Sequence, residues 1–193
     1  MVTADPIVNA VGNDLVWLGD PANQNRHSDR KLTGRILTIH EQALLKTSSD
    51  PDRLLWSFWA AKEAAFKVWK RLAPETVFSP SRFEVAADAV RYDGNEIPVR
   101  WWYGSQWVHA VAGYDQQTII TKVESLTGEP SQAVRALAVK TMVEEGLPVG
   151  LIEGRPPGYF VAGKDAGVCL SLSHDGPYLA VAFRVLWTTT RHR

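Results

Sequence analysis

Between Pro51 and Pro74 the apolar residues recur with the 3.6-residue period of a helix. The segment is rich in alanine and lysine and has no glycine, which favours helix. One side carries the apolar positions Leu54, Leu55, Phe58, Ala61, Ala65, Phe66, Trp69 and Leu72. The opposite side is polar and carries Arg53, Ser57, Glu63, Lys67, Lys70 and Arg71. Lys62 lies within the apolar stripe, so its amine must reach water, a carboxylate or carbonyl of the protein, or a bound phosphate.

The other elements follow from shorter patterns. Residues 11–18 form a strand-like run interrupted by Gly12-Asn13-Asp14, and the polar, basic residues 23–45 predict one or two helices. Between residues 82 and 124, four β-branched and aromatic runs separated by turn residues predict an antiparallel meander. A helix ending before Gly146-Leu147-Pro148 and two strands, VCLSLSH and YLAVAFRV, follow. The pattern predicts an α+β fold with antiparallel sheets packed with helices.

Composition limits the function classes. The 193 residues contain 21 basic and 21 acidic side chains, so the net charge is zero, which argues against a broad nucleic-acid-binding surface. With one cysteine, Cys169, the chain can form neither an internal disulfide nor a cysteine-based zinc site. The first residues lack the charge and apolar run of a signal peptide, and no apolar stretch approaches about 20 residues. We therefore expect a cytoplasmic protein without a membrane span.

Several residues could carry chemistry, and each has a plainer interpretation. Asp14 is either a metal ligand or a turn aspartate, and Glu63 with Lys67 is either catalytic or a surface ion pair. Arg155 is either a loop arginine or a phosphate ligand. Ser173 and His174 either close a strand or donate to a phosphate; as strand neighbours they face opposite sides, which excludes a relay between them. Two carboxylates with several cations suit magnesium bound to phosphate oxygens.

Five short segments form a set: GND (12–14), RILT with Glu41 (35–41), WAAKEAAFK (59–67), GRP (154–156) and SLSH (171–174). The set resembles the G-x-D, R-[VIF]-[LF]-T-x-x-E, W/F-x-x-K-E-A-x-x-K, G-[KR]-P and S-x-S-H motifs of the 4′-phosphopantetheinyl transferases. Those enzymes, which include holo-acyl-carrier-protein synthases, move the phosphopantetheine arm of coenzyme A onto a serine of an acyl or peptidyl carrier protein. Zinc-protease, P-loop and Rossmann motifs do not occur.

The order of the motifs bears on architecture. The short, trimeric branch of the family has G-x-D and K-E before S-x-S-H, as here, but in much shorter chains; the long, two-halved branch has the reverse order. The resemblance implies a 4′-phosphopantetheinyl transferase-like pseudo-dimer: a K-E half at residues 1–124, an S-x-S-H half at 125–187 and a frayed tail at 188–193. The shared Ala-Val-Ala of QWVHAVAG and GPYLAVAF fits a duplicated unit. A homotrimer with a long insertion is the competing architecture.

The resemblance also implies roles. Asp14 and Glu63 would hold Mg²⁺ against the pyrophosphate of coenzyme A, and Glu63 would accept the serine proton or orient a water that does. Lys67 and His174 would contact the pyrophosphate. Ser173 and Arg155 would contact the nucleotide phosphates, and Lys62 would reach the same cleft or brace Glu63.

One position departs from the pattern of the family. The two-halved branch has a second acid two residues after the G-x-D aspartate, where this chain has Val16. A catalytically weak protein that binds coenzyme A or a carrier protein as a scaffold is therefore an alternative, as is an unrelated magnesium phosphoesterase.

The basic residues before and within the motif RILT are candidates for docking the acidic carrier protein: Arg26, Arg30, Lys31 and Arg35. A solvated helix face is the plainer interpretation of these four.

Overall fold

A computed structural model describes residues 9–186 of the chain, so the predicted frayed tail at 188–193 lies outside the described residues. The helices are α1 (Arg30–Ile36), α2 (Ile39–Thr47), α3 (Pro51–Leu72) and α4 (Pro130–Glu144). The first strands are β1 (Gly12–Trp17), β2 (Glu84–Ala86), β3 (Ala89–Tyr92), β4 (Asn95–Tyr103), β5 (Trp107–Ala112) and β6 (Ile120–Ser125). The later strands are β7 (Leu151–Glu153), β8 (Gly158–Val161), β9 (Lys164–Asp165), β10 (Val168–Asp175) and β11 (Tyr178–Val185). None of the described helices is long and apolar enough to cross a membrane.

The strands form three antiparallel sheets, with the orders β1-β5-β4-β3-β2, β10-β11-β6 and β7-β8-β9. Helices α3 and α4 pack on the first and second sheets, each over its own hydrophobic core. This confirms the predicted α+β class. Two details differ: β6, expected to continue the meander, pairs with β11, and the small third sheet is not among the predicted strands. Strand β6, which the predicted division at residue 124 assigns to the first half, thus pairs with a strand of the second, and the division itself stays a prediction.

The first two sheets repeat one arrangement, because β1-β5-β4 and β6-β11-β10 have the same order and pairing direction. The Ala-Val-Ala runs lie on the corresponding strands β5 and β11. In β5, Ala110 pairs with Asp14, whereas in β11 Ala180 pairs with Val123. This arrangement supports two related halves, of which the first alone has a carboxylate at this position.

Helix α3 begins at a capped, proline-containing turn and packs closely against β1 at Gly12. The Asp50 side chain accepts a hydrogen bond from the Arg53 N–H, and Pro51 occupies the first turn, where its missing N–H costs nothing. On β1, a Cβ built at Gly12 would lie 2.0 Å from the carbonyl oxygen of Ala64. Glycine is therefore required for this approach. The side chain of Asp14, two residues along, faces the same helix.

Candidate active site

The two predicted acids lie near each other where β1 meets α3. Lys67 Nζ donates to Asp14 Oδ1 (2.9 Å) and to the carbonyl of Asn13 (2.6 Å). Burial raises the pKa of Asp14, and the charge of Lys67 opposes that rise. Burial and then the negative charge of Asp14 raise the pKa of Glu63 to about 7, again against Lys67. The two carboxyls thus repel one another in a partly desolvated place, a cost that a cation between them would relieve.

The residues fit a magnesium ion whose coordination is completed by oxygen atoms of the substrate. Within residues 9–186 no group of three or more His, Cys, Asp or Glu side chains could hold a metal ion by itself. Magnesium is commonly held by one or two carboxylates together with substrate phosphates, and Asp14 and Glu63 would supply two carboxylates. Val16, at the position of the missing second acid, is buried beside Val108 of β5.

A cleft of about 780 Å³ lies between α3 and the second half of the protein. Its positively charged or basic lining residues come from both halves: Lys67, Lys70, Arg71, Arg135, Arg155 and His174. No described Asp or Glu lines it. Apolar walls from Phe66, Leu172 and Pro156 complete the cleft. Several fixed cations in one apolar-walled cleft suit a ligand with several phosphates and an apolar or flat part.

Lys62 does not line this cleft, so the prediction that it contacts coenzyme A or braces Glu63 is wrong. Its side chain is fully buried, and Nζ donates to Glu41 Oε2 (2.6 Å) and to the carbonyl of Ile36 (2.8 Å). Glu41 also accepts the N–H groups of Thr38 and Val85, each at 2.7 Å. Lys62 therefore joins the RILT–Glu41 motif to α3, as the protein-carboxylate alternative anticipated.

The S-x-S-H segment is divided between two environments. His174 is exposed and lines the cleft, and Arg155, in the loop between β7 and β8, lines it too; their contacts with phosphates stay predictions. Ser173 is turned the other way: its Oγ accepts from the Leu15 N–H (3.1 Å) and donates to Asp14 Oδ1 (3.3 Å). These two bonds engage the hydroxyl of Ser173 with β1 and with Asp14, and its contact with a nucleotide phosphate stays a prediction.

A family model described as "4′-phosphopantetheinyl transferase superfamily" matches residues 10–112, which is more than half of the chain. The chain belongs to this superfamily. The matched region spans β1 to β5 and so contains the two acids and Lys67.

Two solved structures are similar to this superfamily member at low identity. One is holo-[acyl-carrier-protein] synthase from Neisseria meningitidis, with 20% identity over 53% of this chain and 94% of that chain, and a TM-score of 0.44. The other is holo-[acyl-carrier-protein] synthase from Thermotoga maritima, with 19% identity over 65% of this chain and 72% of that chain, and a TM-score of 0.38. No curated protein sequence matches this chain.

The four residues predicted to dock a carrier protein are grouped at α1 and just before it. Arg30, Lys31 and Arg35 are exposed, while Arg26 is half-buried and pairs with Asp29 at 3.3 Å. Ile39, 89% exposed, begins the next helix. The cluster presents positive charge beside an apolar side chain, and its role in docking stays a prediction.

Three cations of the cleft were not among the predicted site residues: Lys70, Arg71 and Arg135. Arg71 Nη2 donates to the carbonyl of Leu170 on β10 at 2.6 Å, so its guanidinium is held across the two halves. Lys70 and Arg71 lie on the polar side of α3 that the helical period identifies, but that pattern alone cannot separate a cleft from a solvated face.

Proposed function

We propose that this protein transfers the 4′-phosphopantetheine arm of coenzyme A to a serine of an acyl or peptidyl carrier protein, with magnesium, releasing 3′,5′-ADP. The observation that carries the proposal is the cation-lined cleft that reaches Lys67, which holds Asp14 beside Glu63. A nucleotide carrying a pyrophosphate and a further phosphate matches that charge. Family membership supports the reaction class.

The residues of this chain would divide the work. Lys67 and His174 would neutralise the pyrophosphate, and Arg155, Arg71 and Arg135 the nucleotide end. The carrier serine oxygen would form a bond to the phosphorus that carries pantetheine, while the bond to the bridging oxygen of 3′,5′-ADP breaks. Glu63 would take the serine proton directly or through one water. Asp14 and Glu63 would hold Mg²⁺, which when bound polarises the phosphoryl group and stabilises the leaving group.

The test is the mass of the carrier. Apo acyl and peptidyl carrier proteins are incubated with coenzyme A, Mg²⁺ and this protein, and the expected product is a carrier heavier by one phosphopantetheine arm. Glu63→Gln should abolish the gain, whereas Glu75→Gln, which makes the same change at an exposed position just beyond α3, should not. The proposal would be refuted if the carriers stay unmodified with this protein while a positive-control transferase modifies the same carriers.

A coenzyme A- or carrier-binding scaffold is the second candidate, and the buried Val16 in place of an acid favours it. Binding of coenzyme A without any gain in carrier mass would support the scaffold. Release of phosphate without a carrier would support the phosphoesterase. The preference for a monomeric pseudo-dimer over a homotrimer, and the cytoplasmic location, stay predictions; a gel-filtration mass of one chain or three decides the former.

A further inference from the structure

Strand β1 is hydrogen-bonded to β5 on one edge and to side chains on the other. The N–H groups of Asn13, Leu15 and Trp17, on this second edge, donate to the Ser171 Oγ (2.9 Å), the Ser173 Oγ (3.1 Å) and the Asp175 Oδ2 (2.8 Å). Side chains of β10 thus take the place that a neighbouring strand would occupy in a continuous sheet. We call these three contacts the side-chain ladder.

The spacing of the ladder fixes how the two halves fit together. Each pair is 158 residues apart, so β1 and β10 run in the same direction and advance by two residues at each contact. Alternate side chains of a strand lie on one face at about 6.6 Å intervals, which matches alternate N–H groups of the neighbour. A slip of one residue would present Leu172 and His174 to β1 and would lose all three bonds at once.

The ladder surrounds the position of the candidate metal ligand. Asp14 lies between Asn13 and Leu15, and the hydroxyl of the central contact, Ser173, also donates to Asp14 Oδ1 at 3.3 Å. The same strand presents His174 to the cleft from its other face. The backbone of β1, the Asp14 carboxylate and the His174 side of the cleft are therefore set by one group of contacts.

We propose that Ser171, Ser173 and Asp175 act as positioning residues that hold Asp14 in register with the cation-lined cleft. Asp175 lies outside the S-x-S-H motif and closes the ladder beyond it. This inference rests on the proposed transferase function, because it assigns the ladder an effect on turnover. If the ladder only held the two halves together, its loss would lower the free energy of unfolding without selectively lowering kcat.

The first experiment measures hydrogen exchange of the backbone amides and needs neither coenzyme A nor a carrier. In Asp175→Ala, exchange of the Trp17 amide should accelerate about tenfold or more, because its hydrogen bond to a charged acceptor is lost. Asp175→Asn keeps an oxygen acceptor and should retain most of the protection. Asp88→Ala, at an exposed aspartate, is the control. If Asp175→Ala does not fold, Ser171→Ala gives the same test on the Asn13 amide.

The second experiment measures transfer kinetics with the folded variants. Asp175→Ala should lower kcat about tenfold and leave the KM for coenzyme A within about twofold, since the cations of the cleft are unchanged; Asp175→Asn should restore most of kcat. Unchanged Trp17 exchange, unchanged kcat, or an Asp175→Asn variant as impaired as Asp175→Ala would overturn the proposal. Wild-type protein that protects these amides but transfers nothing would overturn the proposed function and the positioning role, while the ladder itself would stand.

Discussion

Replacing Lys62 with methionine tests the buried pair between the two sequence motifs. Methionine keeps much of the volume of the side chain but removes the ammonium group. Glu41 then keeps the N–H groups of Thr38 and Val85, yet loses the cation 2.6 Å from Oε2 in a place closed to water. Breaking one partner of such a pair costs about 3–5 kcal/mol. Out of a total stability of about 5–15 kcal/mol, that is a large fraction.

Urea unfolding measures the loss. With a denaturant slope of about 2 kcal/mol/M, the midpoint of Lys62→Met should fall by about 2 M. Lys46→Met, at an exposed position of α2, should stay within about 0.5 kcal/mol of wild type. The double variant Lys62→Met/Glu41→Gln should lose clearly less than the sum of the two single variants, because it leaves no buried charge unpaired.

The same variant tests whether Lys62 takes part in binding coenzyme A. In low urea, folded Lys62→Met should bind coenzyme A within about twofold of wild type, because the amine does not reach the cleft. A loss of stability below about 1 kcal/mol, or strictly additive single variants, would contradict the buried pair. A tenfold loss of coenzyme A affinity in the folded protein would return Lys62 to the binding site.

Three further changes test other parts of the site. Because the pKa of Glu63 rises from 4.5 to about 7 on folding, the free energy of unfolding of the metal-free wild type should fall by up to about 3 kcal/mol between pH 4.5 and 7. Glu63→Gln should lessen that fall, as measured by urea unfolding at pH 5 and 8. Equal pH profiles of stability in wild type and Glu63→Gln would refute this prediction. Gly12→Ala should destabilise by about 2 kcal/mol or more and impair transfer, because β1 must move away from Ala64, whereas Gly34→Ala, with open space around it, should do neither. Arg71→Ala should raise the KM for coenzyme A about tenfold, and exposed Arg100→Ala should not; equal KM values would remove Arg71 from the site.

Local patterns predicted the elements well because their causes are local. The apolar stripe of α3, its proline and acid at the start, and the alternation in β10 and β11 all act within a few residues. A lysine in an apolar stripe also demands a partner, and that demand was visible in the sequence. Its partner, Glu41, was not, because it lies 21 residues away on another helix.

Contacts between the halves were the least predictable. Strand alternation places Ser173 and His174 on opposite faces but does not say which face meets β1 and which meets the cleft. The bond from Leu15 to Ser173 joins residues 158 apart, and no local signal marks it. Arg135 of α4 reaches the cleft for the same reason, since the packing of the two halves brings it beside α3.

We propose that Asp14 and Glu63 share one divalent ion at the end of the cation-lined cleft. Calorimetric titration of Mg²⁺ or Mn²⁺ into the protein with bound coenzyme A tests it most directly, using wild type, Asp14→Asn, Glu63→Gln and the Glu75→Gln control. We expect one site in wild type and the control, and binding at least about tenfold weaker in each site variant. The double variant Asp14→Asn/Glu63→Gln should lose less binding free energy than the sum of the two single losses. Unchanged ion binding in either site variant, or independent additive losses from two separate sites, would contradict the claim.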